Sequence, residues 1–261
     1  MAWSFRLGTL FGIPVRVHAT FFLLLGVLAF TDLLRGGAGA ALAGSLWLLL
    51  VFGSVLLHEF GHALAARRYG IETRDVTLLP IGGLARLERM PDRPRQELWI
   101  ALAGPAVNLA IAGLLAIWLG LVGQPAVTPF GGSMTSRLMA INIGLLLFNL
   151  LPAFPMDGGR VLRALLGERL GQLRATEIAA AVGRGMALLF GLLGLLFYPM
   201  LLLIAMFVWF GAGAELRATR MRYARVVAPF DVPLDDPWPA EGHRVGPHWV
   251  RVERRQDWPR H

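Results

Sequence analysis

His58-Glu59-Phe60-Gly61-His62 places two imidazoles four residues apart, with a carboxylate next to the first. On a helix, positions i and i+4 share a face, so both rings can grip one ion through a ring nitrogen, and this spacing with an adjacent Glu suits Zn²⁺. Glu59 then lies beside the metal as candidate general base. The pentapeptide sits inside the apolar run 41–66, where ionisable groups are costly and mark function. The combination points to chemistry carried out within a membrane.

A catalytic zinc takes a third protein ligand and leaves its fourth position for water. The chain has no cysteine, so His, Asp and Glu are the strong ligands left. Asp157 is the best candidate. It follows Asn149-Leu150-Leu151-Pro152-Ala153-Phe154-Pro155-Met156 and precedes Gly158-Gly159. The two prolines interrupt an apolar span, and the glycines permit a tight turn. Unwound backbone at membrane depth is tolerated only where protein or a water-filled cavity surrounds it, so a buried pocket is implied.

The elements that must position these residues are legible from composition. Of 261 residues, 56% are hydrophobic and 16% charged, against about a quarter charged in a soluble domain. Six apolar segments approach membrane-spanning length, at 20–34, 42–66, 98–122, 138–151, 178–197 and 199–214. The expected fold class is therefore an all-α polytopic membrane protein of about six transmembrane helices. Between spans two and three, Val76-Thr77-Leu78-Leu79 and Leu84-Ala85-Arg86-Leu87 flank Pro80-Ile81-Gly82-Gly83, which reads as a short β-hairpin within 72–90. Residues 1–225 form the expected membrane core. From 226 to 261 the chain is a Pro-rich tail too short and broken for an independent domain. The first span is not read as a signal peptide, because a long segment through His18 precedes it.

All 25 basic residues are Arg, and the net charge is +8. In a membrane protein that surplus belongs to loops at the lipid surface, not to nucleic-acid binding. Arg67, Arg68, Arg74, Arg86, Arg89, Arg93 and Arg95 follow span two, and Arg160, Arg163, Arg169 and Arg174 follow span four. Loops rich in Arg stay cytoplasmic, so both termini are expected inside a plasma membrane. Spans two and four then run in the same direction, which brings Asp157 and the two histidines to similar depth. His58 precedes Arg67 by nine residues, about 13 Å of helix, so the site lies below the cytoplasmic surface and above the midplane.

Three motifs in this order, His58-Glu59-Phe60-Gly61-His62, Gly104-Pro105-Ala106-Val107-Asn108 and Asn149-Leu150-Leu151-Pro152 leading to Met156-Asp157-Gly158-Gly159, resemble the site-2 protease family of intramembrane zinc metalloproteases, peptidase family M50. The likeness is to its compact six-span bacterial and archaeal form, from Gly12 to about Arg225, without the cytoplasmic CBS domains that relatives often carry and with no evident PDZ-type insertion. It implies one zinc per chain held by His58, His62 and Asp157, with Glu59 catalytic. It implies a substrate that is a single-span membrane protein cut within the lipid bilayer, by hydrolysis without an acyl-enzyme. The Asn149 amide is then placed to help a zinc-stabilised oxyanion, or else bonds between helices. Asn108 either contacts substrate or satisfies backbone freed by Pro105. His18 reads as an interfacial histidine, His243, His248 and His261 as tail residues, and Arg184 as a snorkelling side chain or part of a polar path. The alternative from another class is a polytopic transporter whose metal site binds a translocated cation, with Glu59 incidental.

Overall fold

A computed structural model describes residues 3–80, 82–91, 93–124, 132–227, 243–245 and 248–250. Most of the expected Pro-rich tail, His261 included, lies outside the described residues. The chain divides into two compact units, Met1–Leu216 and Arg217–His261, and every candidate site residue is in the first. In the second, strands β5 (His243–Val245) and β6 (His248–Val250) pair antiparallel.

The first long helical element, α1, runs from Ala19 to Arg68 but is not one rod. The Phe21 and Phe52 ring centroids lie 4.7 Å apart, whereas a straight helix would separate those residues by about 46 Å. The chain reverses at Gly37, whose φ of 73° and ψ of −170° suit a residue without Cβ. The two arms are the expected spans at 20–34 and 42–66, and Phe21, Phe52, Leu24 and Leu48 pack between them. Helices α2 (Pro94–Leu121), α5 (Gln172–Leu196) and α6 (Met200–Val227) are long and apolar enough to cross a bilayer, as is α1. Helix α3 (Met134–Asn149) has 16 residues, about 24 Å against a hydrocarbon thickness of about 30 Å. It is the span expected to be interrupted.

Helix surfaces follow lipid rather than water. On α5, Leu188, Leu192 and Leu195 face outward while Ala179, Ala180, Gly183 and Ala187 are buried. On α2, Leu114, Ile117 and Leu121 form the same kind of outer stripe. Large apolar side chains meet hydrocarbon, and small ones let helices approach.

The expected hairpin is present as β3 (Thr73–Leu79) and β4 (Gly82–Leu87), with Val76 opposite Ala85 and Thr77 opposite Leu84. It belongs to a larger sheet than the sequence suggested. Strands β1 (Ser4–Leu10) and β2 (Ile13–His18) complete the order β1-β2-β3-β4, with β2 parallel to β3. Phe11 and Gly12, at φ of 52° and 82°, make the tight β1–β2 turn. One face of the sheet packs Ile13, Val15 and Val76 on Phe60 and Ala63 of α1, the stretch that carries the two histidines. Buried Asp75 pairs with Arg86 and, at 3.6 Å, with Arg16, tying β2, β3 and β4 together. Burial pushes the Asp75 carboxyl up, but the Arg86 hydrogen bond and charge, the Thr77 hydroxyl and Arg16 outweigh it and hold the group below the usual carboxylate range.

The Arg-rich stretch after the fourth span is not a solvated loop. It is largely helix α4 (Asp157–Leu170), and Arg163 is 1% exposed. Its Nε donates to Glu97 Oε1 at 2.8 Å, and its Nη1 donates to Glu215 Oε1 at 2.6 Å. The guanidinium lies 5.0 Å from the Phe154 ring. This triad fixes α4 to the start of α2 and to α6, and thereby sets where Asp157 stands. Arg163→Met takes the partner from the buried Glu97 carboxylate and from the half-buried Glu215, and the expected destabilisation is about 3–5 kcal/mol. Thermal unfolding of the detergent-solubilised chain checks this, and an unchanged midpoint would contradict the structural role.

Candidate metal centre

His58 and His62 are buried on one face of the second arm of α1, and Asp157 opens α4. Asp157 Oδ2 lies 3.1 Å from His58 Nε2 and 3.0 Å from His62 Nε2, and the two Nε2 atoms are 3.1 Å apart. Three atoms from three places in the sequence thus form a nearly equilateral triangle. Tetrahedral ligands 2.0–2.1 Å from zinc would be separated by about 3.3 Å, close to those sides.

The opposite ring atoms are also occupied. His62 Nδ1 donates to the Ile100 carbonyl at 2.7 Å, and His58 Nδ1 donates to Asn108 Oδ1 at 2.6 Å. In the tautomer that binds metal, with both Nδ1 hydrogens directed outward, each ring turns a bare Nε2 lone pair toward the other and toward a carboxylate. Three lone pairs facing one another repel unless a cation lies among them. Outer partners that fix imidazole orientation in this way are the usual support of histidine metal sites.

Gly104 supplies the room. A Cβ there would overlap His62 Nε2 and come within 2.7 Å of His58 Nε2. Gly61 allows the approach of the two helices, since its Cβ would meet the Ala103 carbonyl oxygen at 2.6 Å. Gly158 and Gly159 were expected to serve a turn, yet they lie within α4, and neither has positive φ. They are needed for clearance instead. A side chain at Gly158 would strike the Leu150 and Leu151 carbonyls, and one at Gly159 the Ala153–Phe154 peptide.

Glu59 is half-buried on the neighbouring helical position, and its Oε2 accepts a hydrogen bond from the Ala85 N–H of β4 at 3.1 Å. Gly83 of the same strand packs against it, with the Glu59 Cδ 3.1 Å from where a Cβ would stand. Strand β4 is the edge of the sheet, so its outer side faces the carboxylate. Asn108 is fully buried beside His58. Asn149 is turned back on its own helix, with Nδ2 donating to the Leu145 carbonyl at 2.9 Å. His18 caps α1 through Thr20, and Arg184 lies 5.7 Å from the Trp209 ring. Asn142 and Ser54, which bond onward from Asn108, were missed in the sequence. Their only signal was polarity inside an apolar run.

The sequence model of peptidase family M50 matches residues 46–139 and 132–192, which include both histidines, Glu59 and Asp157. The chain belongs to peptidase family M50. Among M50-type relatives it is similar to zinc metalloprotease MJ0392 of Methanocaldococcus jannaschii, with 38% identity over 85% of this chain and 63% of that one. It is similar also to the putative zinc metalloprotease sll0528 of Synechocystis, with 37% identity over 84% and 61%. The chain therefore spans less than two thirds of the length of either relative. The solved site-2 protease from Methanocaldococcus jannaschii superposes with a TM-score of 0.60 and 39% identity, covering 82% of this chain and 96% of that structure. The donor set of this M50 chain fits zinc: two imidazoles and a carboxylate with no thiol, converging on a space that a Gly104 side chain would fill.

Proposed function

We propose that this chain is an intramembrane zinc endopeptidase that hydrolyses peptide bonds in transmembrane segments of membrane-tethered proteins, as in regulated intramembrane proteolysis. The observation that carries the reading is the buried His58, His62 and Asp157 triangle with Glu59 beside it, against the edge strand β4. His58, His62 and Asp157 would hold the metal. Bound zinc supplies Lewis acidity, drawing the pKa of water towards ~7 and polarising a carbonyl. Glu59 takes a proton from the attacking water on its carboxylate and delivers it to the leaving amide nitrogen as the C–N bond breaks. An oxyanion role for Asn149 requires its amide to exchange the Leu145 carbonyl for substrate.

A helical substrate has its scissile carbonyl bonded to an amide four residues on, so it must unwind before attack. The edge of β4 is suited to receive the extended segment as an added strand, and Ala85 N–H is one of the groups it would meet. Substrates with Gly, Pro or Asn near the cut are then favoured. Replacing those residues with Leu in a single-span substrate is expected to suppress cleavage, read by gel shift of the membrane fragment. Cleavage indifferent to the change would defeat the unwinding requirement.

We place the site on the cytoplasmic side of a cell membrane, with both termini inside and 1–225 forming the protease core. Comparative proteomics of membranes carrying wild-type or Glu59→Gln chain tests the physiological reading. A single-span protein should accumulate uncut in the variant, and identical membranes under every condition tried would oppose it.

A further inference from the structure

We propose that Asn142, on α3, is a positioning residue of the metal centre. It dictates which nitrogen of His58 is free to bind metal, through a chain of amides whose polarity is forced. This rests on the reading of His58 as a zinc ligand.

The two ends of an amide are alike in shape, so only their partners decide which is oxygen and which is nitrogen. The deciding partner here is the Leu138 carbonyl, which can only accept. The Asn142 atom 2.9 Å from it must therefore be Nδ2. The second Nδ2 hydrogen goes to Ser54 Oγ at 3.1 Å, and that hydroxyl donates to the Leu50 carbonyl. Asn142 Oδ1 is thus left facing Asn108, and the Asn108 atom 3.2 Å away must be its own Nδ2. Asn108 Oδ1 is then fixed toward His58 Nδ1, which has to carry the hydrogen. The result at the far end is a bare Nε2. Asn108 and Asn142 are 0% exposed and Ser54 4%, so no bulk water offers either amide a substitute partner. His62 needs no such chain, because a carbonyl faces its Nδ1 directly.

Without Asn142, the Asn108 amide is free to rotate by half a turn. Its N–H then points at His58 Nδ1, which becomes the acceptor, and the hydrogen moves to Nε2, where it opposes the metal. An Asp at position 108 cannot make this error, since both of its oxygens accept.

Zinc affinity of the full detergent-solubilised chain, measured by competition with a fluorescent chelator, tests the idea. Asn142→Leu is expected to weaken zinc binding by about 10–100-fold. Asn142→Ser, whose hydroxyl donates and accepts with equal ease, should do the same and serves if the Leu variant does not fold. Adding Asn108→Asp to either should restore most of the lost affinity, although the thermal unfolding midpoint stays below wild type. Wild-type affinity in the Asn142 variants, or no recovery on adding Asn108→Asp, overturns the proposal. A wild-type chain that holds no zinc overturns the underlying metal-site reading instead.

Discussion

Glu59→Gln is expected to abolish peptide hydrolysis while leaving zinc in place. The substitution is nearly isosteric, and the new amide oxygen can still accept from Ala85 N–H, so the helix, strand β4 and the three metal-binding atoms keep their positions. What disappears is a group able to take a proton from water. General acid–base catalysis contributes about 10²–10⁴-fold, and the cleavage rate should fall by at least that much. Zinc content by atomic emission and cleavage of a single-span substrate, measured on the same preparation, check both halves. The variant also separates the two functional classes: a transporter using the metal site for a cation would tolerate it, because there the carboxylate is incidental.

Asp157→Ala removes the only anionic member of the triangle and leaves two imidazoles. Zinc occupancy should fall well below one per chain under conditions that saturate wild type, and excess zinc should not recover cleavage. Stability should change little. Asp157 hydrogen-bonds to the two histidines that share the site with it, and its position at the first turn of α4 contributes only about 0.3–1 kcal/mol through the helix dipole. A chain that unfolds near its wild-type temperature yet holds no metal is the expected result. Full zinc occupancy in this variant would remove Asp157 from the ligand set.

The spans were legible because lipid demands long apolar runs, and the expected segments at 98–122 and 178–197 fall on α2 and α5. The His58/His62 pair could be read from helical spacing alone. The approach of Asp157 to it followed from counting spans, since two helices running the same way end on the same side. What spacing does not encode is which distant strands pair. The alternation Ile13, Val15, Val17 was present, but nothing local says that β2 lies parallel to β3 across the whole of α1. Charge placement misled at Arg163: a basic residue after a span reads as a loop until Glu97 and Glu215 arrive from helices far along the chain. Gly158 and Gly159 were misread for a related reason, because a glycine required for clearance looks the same in sequence as one required for a turn. Asn142 was invisible as a functional residue because its consequence is expressed two amides away.

We propose that the one site formed by His58, Glu59, His62 and Asp157 both holds zinc and cuts a membrane helix. The most direct test is the purified chain reconstituted in liposomes with a single-span substrate, with the products mapped by mass spectrometry. Cleavage is expected inside the spanning segment, lost on chelation and restored by zinc. A zinc-loaded chain that cuts only outside the bilayer, or leaves unwindable single-span helices intact, would contradict it.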